Sequence, residues 1–150
     1  MTDTTIETLN DLIETCKDGE YGFRACAEQA KSPNLKELFE RRAQECHAAA
    51  SQLQAHVREL GGKPEEHGSA MGAVHRGWVA VKSALVTYDD LAVLKECERG
   101  EDVALESYRE ALEQNLPARI YNLVELQYHG VQQNHDEVRR LREEFKASAS

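Results

Sequence analysis

Four stretches of this chain, each about 26–30 residues long, carry apolar side chains at helical spacing, a pattern that only a bundle of long helices satisfies at this length. In residues 4–30 the stripe is Ile6, Leu9, Leu12, Ile13, Cys16, Phe23, Ala27 and Ala30. In residues 33–60 it is Leu35, Leu38, Phe39, Arg42, Glu45, Cys46, Ala49, Leu53, Val57 and Leu60. In residues 89–114 it is Leu91, Leu94, Glu98, Glu101, Asp102, Leu105, Tyr108 and Leu112. In residues 117–146 it is Ile120, Val124, Gln127, Tyr128, Val131, Asn134, His135, Val138, Leu141 and Phe145. No segment alternates with a period of two, so no sheet is expected.

The breaks agree with the stripes. Ser32-Pro33 offers an N-cap and a first helical position that tolerates proline. Gly61-Gly62, with Pro64 beyond, stops the second helix, and Asn115-Leu116-Pro117 makes a tight connection. Residues 61–69 read as a loop. A short helix then fits residues 70–86, with Met71, Val74, Trp78, Val81 and Leu85 on one side. Trp78 is expected to anchor it on the bundle flank, with Gly77 allowing close approach and His75 packing nearby. The tail from Ala147 is expected to fray. The expectation is a single domain over residues 1–150, an all-α, left-handed four-helix bundle with a long helical crossover between its second and third long helices.

Composition excludes several partners. The 27 acidic and 18 basic side chains leave a formal charge of −9, which argues against nucleic acid and against an anionic membrane. No apolar run approaches the ~20 residues of a membrane helix, and Met1-Thr2-Asp3-Thr4 carries no export signal. Cys16, Cys26, Cys46 and Cys97 lie far apart without a C-x-x-C and read as reduced thiols packed in a cytoplasmic protein. A redox pair of Cys46 and Cys97 is the minor alternative.

The informative residues are the polar ones on the apolar stripes: Glu20, Glu45, Glu98, Glu101 and His135. A carboxylate inside a helical bundle is costly unless paired, protonated or bound to a metal. Glu20 and Glu45 each lie about 12–13 residues from the first turn, and Glu98, Glu101 and His135 about 15–19 from the second. A crossover of some 28 residues can run the length of the bundle and put the two turns at opposite ends. The polar residues of both hairpins then fall in one mid-bundle layer. By contrast, His56, His67, His75 and His129 show no ligand spacing.

A long crossover, two helix pairs and central carboxylates with histidine resemble the ferritin-like di-iron bundles, in which two helices give a Glu and two give Glu-x-x-His. More closely, Leu9-Asn10-Asp11-Leu12-Ile13-Glu14, Lys17-Asp18-Gly19-Glu20-Tyr21-Gly22-Phe23, His75-Arg76-Gly77-Trp78, Glu96-Cys97-Glu98-Arg99-Gly100-Glu101-Asp102 and Asn134-His135-Asp136 resemble a bacterial family of ferritin-like four-helix-bundle proteins whose function is not established. The resemblance implies the fold and carries the di-iron pattern only in part. Glu20 matches the first-helix carboxylate and Glu98 or Glu101 the third-helix one. Glu45 is followed at the expected spacing by Ala48, not histidine, while Gln44-x-x-His47 and Gln132-x-x-His135 have an amide in place of the acid.

Two readings follow. In one, iron or another divalent metal is held by Glu20, Glu45, Glu98, Glu101 and His135, with water completing the shell. In the other, the protein is a non-catalytic structural or stress-related bundle, acting through self-association or a protein partner. Arg42, Tyr108, Tyr128 and Asn134 then neutralise and hydrogen-bond the carboxylates. A homo-oligomer is compatible with both.

Overall fold

The computed structural model describes residues 2–68 and 89–149, and these form four helices with no strand among them. They are α1 (Thr2–Gln29), α2 (Pro33–Glu59), α3 (Asp90–Leu112) and α4 (Ala118–Ala149). The all-α four-helix bundle expected from the stripes is the observed architecture. The expected crossover helix over residues 70–86, with Met71, Val74, His75, Gly77, Trp78, Val81 and Leu85, lies outside the described residues.

The helix ends follow local chemistry. α2 stops in a full glycine motif: Gly61 at φ +83° donates to Arg58 O (3.0 Å) and Gly62 donates to Val57 O (2.9 Å). Gly62 is also pressed on α1, since a Cβ there would lie 2.8 Å from Ile6 Cδ1. The turn between α1 and α2 departs from expectation. Ser32 has the extended backbone of an N-cap, but its side chain makes no capping bond. Pro33 sets the first turn of α2, and the free backbone groups are met from elsewhere. Asp90 at the start of α3 accepts from Lys31 N (2.7 Å) and Ser32 N (3.1 Å), and Lys36 Nζ donates to Ala27 O (3.0 Å). Its neighbour Asp89 caps α3 by accepting from Ala92 N at 2.8 Å. The tail expected to fray continues as helix to Ala149, because no glycine or proline interrupts Lys146-Ala147-Ser148-Ala149.

Side-chain pairs fix the register. Along α2 and α4, Arg119 meets Glu59 (2.7 Å), Gln127 meets Gln52 (3.0 Å) and Arg41 meets Glu137 (3.5 Å), an antiparallel pairing. Helices α1 and α3 are antiparallel too, through Cys16–Tyr108 (3.2 Å) and the Asp90 bonds to the first turn. The first turn therefore sits beside the start of α3, and the second beside the end of α2. The turns lie at opposite ends of a bundle about 40 Å long. Beyond Gly62 the chain runs back along α1 and α2, with Asn10 Nδ2 donating to Lys63 O (3.2 Å) and Gln54 Nε2 to Glu65 O (2.9 Å).

The apolar core divides in two. One cluster, around Leu9, Ile13, Leu53, Val57, Tyr108 and Val124, fills the end near the second turn. The other, around Phe23, Leu35, Phe39, Ala43, Leu94 and Val138, fills the end near the first. Between them lie the buried polar side chains Arg42, Glu101 and Asn134.

Two classes of glycine separate in a urea-denaturation series. Gly61→Ala, which forces a Cβ into the left-handed region, is expected to lower stability by about 1–2 kcal/mol. Gly100→Ala, mid-helix with nothing within 4 Å of the added Cβ, is expected to raise it by about 1 kcal/mol.

Candidate functional site

The site is organised around Arg42, which is carried into the core by the α2 stripe of Leu38, Phe39 and Ala43 and is only 7% exposed. Its guanidinium lies over the Phe23 ring, 5.3 Å from the centroid. Nη1 donates to Glu45 Oε1 at 2.8 Å, and Nη2 stands 3.9 Å from Glu101 Oε2. Glu101, from α3, is 3% exposed and accepts a hydrogen bond from Asn134 Nδ2 on α4. Burial pushes the Glu101 carboxyl up to about 7, against the opposing pull of the Asn134 bond and the Arg42 charge.

Thiols and a tyrosine complete the layer. Cys16 and Cys46 are pushed up by burial to about 11 and about 12, and Cys97 well above the ordinary thiol range. Arg42 lowers all three without offsetting burial, so they stand as protonated thiols with little nucleophilic character. Tyr108 donates to Gln127 Oε1 (2.9 Å), which leaves its oxygen to accept from Cys16. Gln127 in turn donates to Gln52 Oε1 and to Ala49 O. A cavity of about 620 Å³ borders these groups, and all four cysteines line it together with Arg42, Glu101 and Tyr108.

The expected site residues divide among separate partners. Glu45 and Glu101 are brought together through Arg42. The Glu45 side chain is 51% exposed rather than on the inner face. Cys46 takes that face, because α1 passes so close at Gly19 that a Cβ there would lie 3.0 Å from Cys46 Sγ. Glu20 is half-buried and held by Arg24 (3.0 Å), His47 (3.2 Å) and Lys17 (4.0 Å). Burial raises its carboxyl, but these bonds and charges outweigh it and bring the group below the usual range. Glu98 pairs with Arg142 of α4. His135 Nε2 meets Asp102 Oδ1 at 2.6 Å, and the neighbouring Asn134 is the residue turned inward.

The register sets His47, and with it Glu20, about level with Gln132, so Glu20 and His135 lie within about one helical turn along the axis. They share a level but face different grooves. Among the described residues no three of His, Cys, Asp and Glu are grouped to hold a metal ion. As arranged, the central position is filled by a guanidinium, and this donor set does not fit a metal there without displacing it.

The sequence shows His47 in a Gln44-x-x-His47 frame and Asp102 on the third stripe, but not their pairing with Glu20 and His135, nor that of Arg142 with Glu98. The hairpin arithmetic contained the signal for His47, which lies nearly as far past the first turn as Glu20 lies before it. Of the expected network, Arg42 and Asn134 take Glu101, whereas Tyr108 turns to Cys16 and Gln127, and Tyr128 accepts from Arg109 Nε at 3.1 Å.

A family model described as a domain of unknown function, DUF2383, matches residues 4–114. The chain belongs to the DUF2383 family. No curated protein matches this DUF2383 chain in sequence. Among solved structures it is similar to a dodecameric thioferritin, the bacterioferritin-related protein of Bacteroides fragilis, at 12% identity and TM-score 0.78, over 99% of this chain and 90% of that one. It is similar to a C-terminal deletion mutant of Mycobacterium smegmatis Dps at 14% identity and TM-score 0.75, over 93% and 98%. It is also similar to a Dps protein from Vibrio cholerae O1, described as a member of a broad superfamily of ferritin-like diiron-carboxylate proteins, at 13% identity and TM-score 0.72, over 93% and 89%. At these identities the likeness establishes the ferritin-like fold. No helix among the described residues is long and apolar enough to cross a membrane.

The raised Glu101 carboxyl has a pH consequence. Below about pH 4.5 both folded and unfolded DUF2383 chains carry the proton. Between there and about pH 7 only the folded chain keeps it, so its contribution to stability falls as pH rises. Urea titrations of wild type and Glu101→Gln at pH 5 and pH 8 are expected to shift in the variant's favour by up to about 3 kcal/mol over that interval.

Proposed function

We propose that this chain is a cytoplasmic, non-catalytic ferritin-like bundle that works by self-association, its centre closed by a polar network instead of a metal. One observation carries the reading: the Arg42 guanidinium lies between Glu45 and Glu101 and supplies the positive charge that central carboxylates need. Asn134 takes a Glu101 oxygen, and Arg142 and Asp102 engage Glu98 and His135. The dodecameric assembly of the Bacteroides fragilis neighbour supports a homo-oligomer. The net charge of −9 supports a partner that is neither nucleic acid nor an anionic membrane. Four free cysteines support a reducing compartment.

The second reading keeps iron or another divalent metal, held by Glu20, Glu45, Glu98, Glu101 and His135. Their common level in the bundle favours it, as does the likeness to the Vibrio cholerae protein. It requires Arg42 to leave Glu45 and Glu101, Arg142 to release Glu98 and Asp102 to release His135.

Metal analysis of protein purified without chelator, with melting curves in added Fe(II) or Zn(II) and sedimentation analysis, separates the two. The network reading expects no metal-dependent rise in melting temperature, an assembled species, and a loss of about 3 kcal/mol in Arg42→Met. The metal reading expects stabilisation of about 2.7 kcal/mol at a hundredfold excess over Kd, abolished in Glu98→Ala/His135→Ala. A monomer in sedimentation would overturn the self-association.

A further inference from the structure

The four free cysteines border one cavity, but their surroundings differ. Cys16 is engaged by the Tyr108 hydroxyl at 3.2 Å. Cys46 is packed against Gly19 of α1. Cys26 and Cys97 have each other, the Cys26 side chain being a hydrogen-bond partner of the Cys97 thiol. Cys97 is thus partnered across the seam between α1 and α3, and not by Cys46, the partner the sequence suggested.

The register fixes this pair. Helices α1 and α3 run antiparallel and are tied at Cys16–Tyr108 and at Lys31 and Ser32 with Asp90. Cys26 lies ten residues after Cys16 and Cys97 eleven before Tyr108, so both fall at one level between the two ties. Both pack in the apolar cluster near the first turn, where Phe23, Val93 and Leu94 hold the helices together. Cys97 is 5% exposed, whereas Cys26 is half-buried. Both line the cavity of about 620 Å³, which is also bordered by the exposed Tyr21 and Val103. Among the described residues a small neutral oxidant therefore has a route to the Cys26 sulfur. Cys97 needs no diffusing reagent, because its reaction partner is already in contact.

We propose that Cys26 and Cys97 are an oxidisable dithiol that a hydroperoxide converts to a disulfide between α1 and α3. With hydrogen peroxide, the Cys26 sulfur attacks one oxygen, the O–O bond breaks and water leaves, which makes a sulfenic acid. The Cys97 sulfur then attacks the Cys26 sulfur, the S–O bond breaks and a second water leaves. Two thiols and one peroxide give one disulfide and two waters, and the two electrons lost by the sulfurs are gained by the peroxide oxygens. A small dithiol reverses the bond by exchange. The link closes a loop of about 70 residues that contains α2, so the oxidised chain resists unfolding more than the reduced one. Neither self-association nor a metal enters this chemistry.

The test treats the reduced full chain with one equivalent of hydrogen peroxide in the presence of a chelator, unfolds it, alkylates the remaining thiols and maps the peptides by mass. The expected product has Cys26 joined to Cys97, Cys16 and Cys46 alkylated, and a raised melting temperature that dithiothreitol returns to its starting value. Cys97→Ala is expected to stop the link and leave on Cys26 a sulfenic acid that dimedone captures. Cys26→Ser is expected to stop the link and leave the other three thiols about tenfold or more slower to oxidise than Cys26 in the wild type. If Cys97→Ala does not fold, the wild-type peptide map and Cys26→Ser decide. Four alkylatable thiols after treatment, a link between any other pair, or a link that forms faster in urea than in the native chain would overturn the proposal.

Discussion

A guanidinium in the middle of a helical bundle must find its counter-charge there, and most of the central arrangement follows from Arg42. The α2 stripe of Phe39, Ala43 and Cys46 leaves its side chain no short route to water, so it lies across Phe23 and reaches Glu45 and Glu101. Glu101 in turn needs a donor from α4, and Asn134 supplies it. Three of the four helices are therefore joined at mid-height by polar contacts of limited geometric tolerance. The two apolar clusters on either side can repack with small losses, but this layer accepts few substitutions.

The register explains why a layer exists at all. With the turns at opposite ends, positions near the middle of each helix fall at one height, however the ends are trimmed. Polar side chains from separate hairpins then meet at a common level. The family match over residues 4–114 and the likeness to Dps and thioferritin folds concern this scaffold. What occupies the scaffold's centre is decided by individual side chains, and here one of them is arginine.

Much of the scaffold was legible in sequence because its signals are local. Gly61 stops α2 in the left-handed backbone that favours glycine, and the long stripes announce helices without help from tertiary contacts. The site was less legible because adjacent positions at a stripe edge differ by about 100° of rotation. Periodicity alone could not choose Cys46 over Glu45, or Asn134 over His135. The first choice rests on Gly19, whose missing side chain lets α1 approach Cys46, and the second on a donor for Glu101. The partners Asp102, Arg142 and His47 belong to facing helices and appear only when register and rotation are combined.

The bonds from Asp90 to Lys31 N and Ser32 N bear on the order in which the molecule can be completed. The connection between α1 and α2 presents two backbone donors whose acceptor is encoded almost 60 residues later. A chain emerging from the ribosome can wind both helices and bring them side by side well before that carboxylate has been made. Until then the hairpin's turn is solvated, and its two amides are held by water. Arrival of α3 closes the turn and docks the second half of the bundle in the same event. The last step of assembling the first hairpin is thus the first step of assembling the second, and neither half reaches its final geometry alone.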